Sequence, residues 1–406
     1  MGFFDPLAAS YYKNKYGGNA GSGAVDLTGC TPSKNLKLSE VKSFAIVSND
    51  AESIGEQAFA DCTALASVDL PSAGSIGGAA FYNCASLTSV NLPNAFYIGE
   101  QAFAECTALA SVDLPSAGSI GEHAFRGCTS LASVDLPAAP RIGERVFRGC
   151  TSLASVDLPN TLYIGEGAFA DCTALASVDL PSAESIGGAA FYNCASLTSV
   201  DLPVVTSIGE KAFYNCTALT SVDLPVATSI GDYAFQNCTS LTSVDLPVAT
   251  SIGDYAFADC TALASVDLPS AESIGGAAFA ECTALASVDL PSAGSIGEHA
   301  FRGCTNLKTI IIRNEAAACQ LNVAALINTG IVTAEGAPTG EGFIYVPTKF
   351  YEDYVAMVAE QAAMLLMSQG MGEAEAQATA DYIARAILRK IEDYPEICGT
   401  ITATEV

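Results

Sequence analysis

A carboxylate recurs at one position every 22 residues: Asp69, Asp113, Asp135, Asp157, Asp179, Asp201, Asp223, Asp245, Asp267 and Asp289, with Asn91 as the one amide in the series. Two positions earlier runs a hydroxyl series, Ser67, Ser89, Ser111, Ser133, Ser155, Ser177, Ser199, Ser221, Ser243, Ser265 and Ser287, ending at Thr309. Carboxylates held one above another could bind cations or attract a basic partner, and interleaved hydroxyls could hydrogen-bond a peptide or a sugar. The spacing and the single ligand type match neither an EF-hand nor a nonapeptide calcium roll. Neighbouring carboxylates about 5 Å apart repel by roughly 0.8 kcal/mol in water, so a plain solubilising ladder is the competing reading. The central residues Asp135, Asp157, Asp179, Asp201, Asp223 and Asp245, with Ser155, Ser177, Ser199 and Ser221, are the candidate ligand-binding set.

Other reactive side chains argue against catalysis. Of 15 cysteines, twelve form one more column from Cys62 to Cys304, leaving Cys30, Cys319 and Cys398 outside it. Equivalent residues of stacked coils have parallel Cβ vectors about 4.8 Å apart, too far for a bridge, so these read as buried free thiols with a weak S–H donor. No His or Lys stands beside them to generate a thiolate. The two histidines, His123 and His299, occupy equivalent solvent-facing places without a nucleophile nearby. No catalytic residue, metal site or cofactor is expected. Arg126, Arg141, Arg145, Arg148 and Arg302 are the basic interruption of the array, read as a local contact or as neutralisation of adjacent acids. The Asn215-Cys216-Thr217 and Asn237-Cys238-Thr239 triplets match a glycosylation pattern, but the repeat itself accounts for them.

The element that must position these columns is a repeat. Ile-Gly, then Phe four residues on and Cys three further, recurs twelve times from Ile54 to Ile296 with an unbroken 22-residue period. Such a period marks a solenoid of coils, each unable to bury its apolar side alone. In SIGEQAFADCTALASVDLPSAG, Ser67–Leu70 alternates as a short parallel strand ended by Pro71. Ile54-Gly55 gives a second extended step, with Gly55 supplying a backbone geometry other residues resist. Ala58–Cys62 reads as a helical or 3₁₀ turn that puts Phe59 and Cys62 on one side. Ile54, Ala58, Phe59, Cys62, Leu65, Val68 and Leu70 therefore point inward. Residues 170–191 and 258–279 are letter-for-letter identical, a mark of recent duplication.

This pattern, C-x-x-L-x-x-I-x-L-P followed by I-G-x-x-A-F-x-x-C, resembles the BspA-like (Treponema-type) leucine-rich repeats. The resemblance covers the whole array. It departs in its 22-residue period, against a commoner 23, and in the likeness of its copies. It implies an α/β-type solenoid, a right-handed leucine-rich repeat superhelix of twelve coils with short parallel strands and a concave Ser/Asp face. It also implies a non-enzymatic bacterial recognition scaffold for a protein or cell-surface ligand. The alternative is a structural or receptor-binding subunit of a phage or prophage particle or other assembly.

The ends read differently. Residues 1–30 form a Tyr- and Gly-rich leader or docking segment with a flexible connector at 17–23, 31–50 an N-terminal cap, 51–312 the solenoid, 313–348 a C-terminal capping segment with FIYVP (343–347) as last strand, and 349–406 a helical hairpin and tail. The hairpin helices are expected at about 349–369 and 373–393, carrying Arg385, Arg389 and Lys390 in the last turns. Tyr351, Tyr354, Leu365 and Ile387 mark them as docking helices that could join copies into a homo-oligomer, or as a cap. A net charge of −27, from 17 basic and 44 acidic residues, excludes nucleic acid as a natural partner and favours basic ones. The first residues lack a signal-peptide pattern and no apolar stretch is long enough to insert in a membrane, so a surface or virion location would require another export route, and the cytoplasm is the default.

Overall fold

The computed structural model describes residues 51–394 except Glu335, together with the backbone of two short strands, Gly23–Asp26 and Phe44–Val47. The chain divides into two compact units, Met1–Leu202 and Pro203–Val406. Both are built of parallel-strand solenoid coils with the 22-residue period.

In the first unit each coil contributes one Ser-Val-Asp strand, Ser-Val-Asn at Ser89–Asn91, and these pair parallel with zero offset, so Ser133 lies against Ser155, Ser155 against Ser177, and the aspartates likewise. The period-2 alternation of a strand sends Ser and Asp outward and Val inward, as at Val156 and Val178, both 5% exposed. A second, two-residue strand (Ser53–Ile54 in the first described coil) pairs in the same way up to Ser119–Ile120 and resumes at Arg141–Ile142. The break has a chemical cause. In this ladder Gly118 donates its N–H to the Phe96 carbonyl and Leu162 to that of Pro140, but Pro140 itself has no N–H to give to Gly118.

The segment expected to be helical is instead a pair of tight turns. Gln57 and Asp61 adopt φ of +54° and +60°. Alternate amides then do different work: Gln57, Phe59 and Asp61 donate to Gly78, Ala80 and Tyr82 of the next coil, while Ala58, Ala60 and Cys62 close local bonds to Gly55, Gln57 and Phe59. Phe59 and Cys62 still share the interior. The glycine after each Ile is likewise corrected in its reason. No left-handed φ requires it, and at Gly55 itself a Cβ would meet nothing within 4 Å, but a Cβ on Gly99 would lie 2.5 Å from the Gly78 nitrogen, so at Gly77, Gly99 and Gly121 the close approach of the preceding coil's backbone demands glycine.

All seven inward columns are buried, and an eighth joins them at Ala73, Ala95, Ala117, Ala139, Thr161 and Ala183. Phenylalanines dominate: Phe103, Phe125 and Phe147 stack at 5.4 and 5.5 Å with ring planes within 7°. Beyond the N-terminal side, Gly23–Asp26 pairs with Phe44–Val47, which pairs with Leu65–Asp69, so parallel pairing begins before residue 31. The leader and connector otherwise lie outside the described residues, as do Cys30 and Cys398.

The second unit repeats the coil and then ends it. Its Ser-Val-Asp strands run to Ser265–Asp267, and a four-stranded parallel sheet follows in the order Ser287–Leu290, Thr309–Ile312, Phe343–Val346, Leu388–Lys390. FIYV is therefore not the last strand. Helix α1 (Tyr351–Ser368) and helix α2 (Glu373–Ile387) form the expected pair, but α2 stops six residues early. Leu388–Lys390 turns extended because it can satisfy the open edge at Ile344–Val346 and bury Leu388. Arg389 then caps α2, its guanidinium donating to the carbonyls of Arg385, Ala386 and Leu388.

Candidate functional site

In the first unit the strand face brings Asp135, Asp157, Asp179 and Asp201 into one line beside Ser155, Ser177 and Ser199. A depression of about 440 Å3 opens on it, lined by Val156, Asp157, Ser177, Val178, Asp179, Ser199 and Asp201. The one amide of the ladder relieves the charge repulsion locally, for Asn91 donates to Asp69 at 2.8 Å. In the second unit Ser221, Asp223 and Asp245 occupy the equivalent strands, with Asp223 against Asp245. Partial burial, then the charges of Asp245 and Asp289, raise the Asp267 carboxyl above its ordinary value. The run ends at a cation the sequence reading missed. Arg313 grips Asp289 with Nε 3.0 Å from both carboxylate oxygens and a second nitrogen at 3.0 Å. Its signal was a lone Arg one residue past the strand that follows Asp289.

The cysteines are structural. All thirteen described are free and buried. Cys84 donates its thiol to the Phe59 carbonyl at 3.2 Å, and Cys106, Cys128, Cys150 and Cys172 repeat the bond one coil on each time. Burial pushes the thiols of Cys128, Cys150, Cys238 and Cys260 up, Cys260 to about 12, which removes the thiolate that nucleophilic or redox chemistry needs there. Among the described residues no group of His, Cys, Asp and Glu could hold a metal ion. His299 sets Nδ1 3.1 Å from the Ala324 carbonyl and Nε2 3.4 Å from Glu298, a backbone tie rather than an acid–base arrangement. The arginines mostly neutralise acids: Arg126 pairs with Glu105, Arg145 with Glu144 and Glu166, and Arg148 with Asp171.

The docking residues assigned to the hairpin separate into two kinds. Tyr354 and Ile387 are fully buried, so neither can dock a partner. The Tyr354 hydroxyl accepts the Cys319 N–H at 2.7 Å, and burial raises its ionisation to about 12. Leu321, on the terminal short strand, donates to Met357 Sδ at 3.3 Å and accepts from Gln361 at 3.1 Å. Helix α1 thus occupies the hydrogen-bonding edge where another coil would sit. Tyr351 and Leu365 are half-buried, and the outward face carries Met364, Met367 and Tyr382 instead. Among the described residues no helix is long and apolar enough to cross a membrane.

One further surface escaped the sequence reading. Two coils read NAFYIG and NTLYIG where most have Ser before Ile, and Phe96, Tyr97, Leu162 and Tyr163 are exposed there.

A family model described as the BspA type leucine rich repeat region (6 copies) matches residues 33–152, 97–220, 140–247 and 228–334. Among solved structures, a leucine-rich repeat protein from Bacteroides ovatus is 30% identical, over 65% of this chain and 83% of its own, with a TM-score of 0.49. A leucine rich cell surface protein from Faecalibacterium prausnitzii is 28% identical over 68% and 80%, with a TM-score of 0.40. The leucine rich repeat protein of T. pallidum is 30% identical over 44% and 78%, with a TM-score of 0.32. A search of the curated proteins found no match.

Proposed function

The chain belongs to the BspA-type leucine-rich repeat family, and from that membership we propose that it is a non-enzymatic recognition scaffold binding a basic protein or host-surface ligand through its Ser/Asp strand face. Leucine-rich repeat scaffolds of this kind are typical of surface and adhesion proteins. The observation that carries the reading is the in-register line of exposed carboxylates over the depression at Asp157, Asp179 and Asp201. A row of one charge sign on a rigid sheet costs repulsion between neighbours, and a cationic ligand turns that cost into attraction. The exposed hydroxyls of Ser177 and Ser199 add hydrogen-bonding capacity without bulk.

The test uses the full chain and a fluorescent Lys- and Arg-rich peptide, titrated at two ionic strengths. Changing Asp157, Asp179 and Asp201 together to Asn should weaken binding by roughly tenfold at low salt and flatten the salt dependence. Changing Glu56 and Glu122, which lie on the turns, to Gln should do little. Equal losses from both sets would mean that the peptide reads only net charge, and the reading fails.

A further inference from the structure

In the first unit the exposed large apolar side chains among the described residues are Phe96, Tyr97, Leu162 and Tyr163, and all four fall in two adjacent columns of the array. Their exposures are 62%, 44%, 45% and 39%. Elsewhere in the unit these columns carry Gly74, Gly118, Pro140 and Glu184, and Ser53, Ser75, Ser119, Arg141 and Ser185. The four large apolar residues are therefore substitutions into places that other coils fill with Gly, Pro or Glu in one column and mostly Ser in the other, and folding does not require them.

Their arrangement is that of a prepared surface. A Cβ added at Gly118 would fall 2.3 Å from the Phe96 ring, so the ring lies across the glycine of the next coil and turns its remaining surface to solvent. The guanidinium of Arg141 sits over the Tyr163 ring, 5.8 Å from its centroid. Three coil steps of about 5 Å separate Phe96 from Leu162, so the patch spans roughly 15 Å.

Charge identifies the occupant. Arg126, Arg145 and Arg148 each meet a carboxylate, whereas Arg141 meets none among the described residues. Between Gly74 and Tyr163 the two columns hold no acid, and Glu52 and Glu184 bound them. In a chain of net charge −27, this is an apolar island with an unanswered cation. Exposed Tyr, Phe and Arg are the side chains that dominate protein–protein contacts, because they bury much area at small entropic cost. A second copy of so acidic a chain would be repelled at long range.

We propose that Phe96, Tyr97, Arg141, Leu162 and Tyr163 form a second docking surface, separate from the Ser/Asp face, for a partner-protein segment that carries apolar side chains and a carboxylate. The apolar groups cover Phe96 and Leu162, and the carboxylate reaches Arg141 as a charge-assisted pair above Tyr163.

The array supplies its own controls, since Phe96→Gly, Arg141→Ser and Tyr163→Ser each restore a residue that neighbouring coils carry. A displayed library of random dodecapeptides is panned against the full chain, and the enriched peptides are synthesised and titrated. Enriched sequences should combine Asp or Glu with aromatic or aliphatic residues. Their affinity should fall roughly tenfold or more on Arg141→Ser and on Phe96→Gly, and stay unchanged in the Asp157/Asp179/Asp201→Asn variant. No enrichment, enrichment of basic peptides, or equal affinity for parent and Phe96→Gly overturns the proposal. So does an acidic oligogalacturonide that binds the parent and not Arg141→Ser in place of any peptide, since it reassigns the patch to acidic sugars.

Discussion

Phe125→Ala tests the physical core of this scaffold. The side chain is fully buried and stacks on Phe103 and Phe147 at 5.4 and 5.5 Å, while its carbonyl accepts the Cys150 thiol at 3.2 Å. A buried Phe removes about 150 Å2 from water, worth about 4 kcal/mol at ~25 cal/mol per Å2. Each lost ring contact adds about 0.5–1.5 kcal/mol, and partial collapse of neighbours returns some of the total. The net expectation is about 3–5 kcal/mol. In a linear array the loss falls on one coil and its two interfaces, so the observable is local. Native-state hydrogen exchange should show the amides of Phe125, Gly127 and Cys128 losing roughly 10²- to 10⁴-fold in protection, with distant coils little changed. Phe96→Ala, on the surface, should change stability by less than about 0.5 kcal/mol. Equal protection in Phe125→Ala and the parent, or equal losses in the two variants, would refute the stacked-ring account.

The thiols set an alkaline limit. Folding raises Cys260 from 9.0 to about 12 by burial, so its contribution to stability is complete below pH 9 and is lost as pH rises toward 12. Denaturant midpoints should hold near neutrality and fall across that window, and a thiol reagent at pH 8 should label the repeat cysteines only after unfolding; rapid labelling of the folded chain would contradict their burial. Tyr354→Phe strands the buried Cys319 N–H that the hydroxyl now satisfies at 2.7 Å, at an expected cost of about 1–3 kcal/mol, measured by chemical denaturation. No change there would undo the reading of α1 as a cap.

Much of this protein was legible from residue types alone, because a repeat states its constraints many times over. The period, the inward columns from Ile54 to Leu70, the outward Ser and Asp, and the buried unbridged cysteines all follow from alternation and stacking, which are local or one-coil properties. The C-terminal hairpin was legible only as two helices. Where α2 ends was decided by an open strand edge at Ile344–Val346, a partner more than forty residues away that periodicity cannot register. Tyr354 and Ile387 look like docking residues in a helical wheel and become interior once Cys319 and the last sheet lie beneath them. The glycine at Gly99 and the break at Pro140 have the same origin: both depend on how near one coil's backbone comes to the next, a distance of 2.5 Å from a missing Cβ in one case and a missing N–H in the other. Sequence spacing determined which side chains stack; only the tertiary structure decided which edges, carbonyls and exposed rings were left to be covered, because those depend on contacts between segments that share no period.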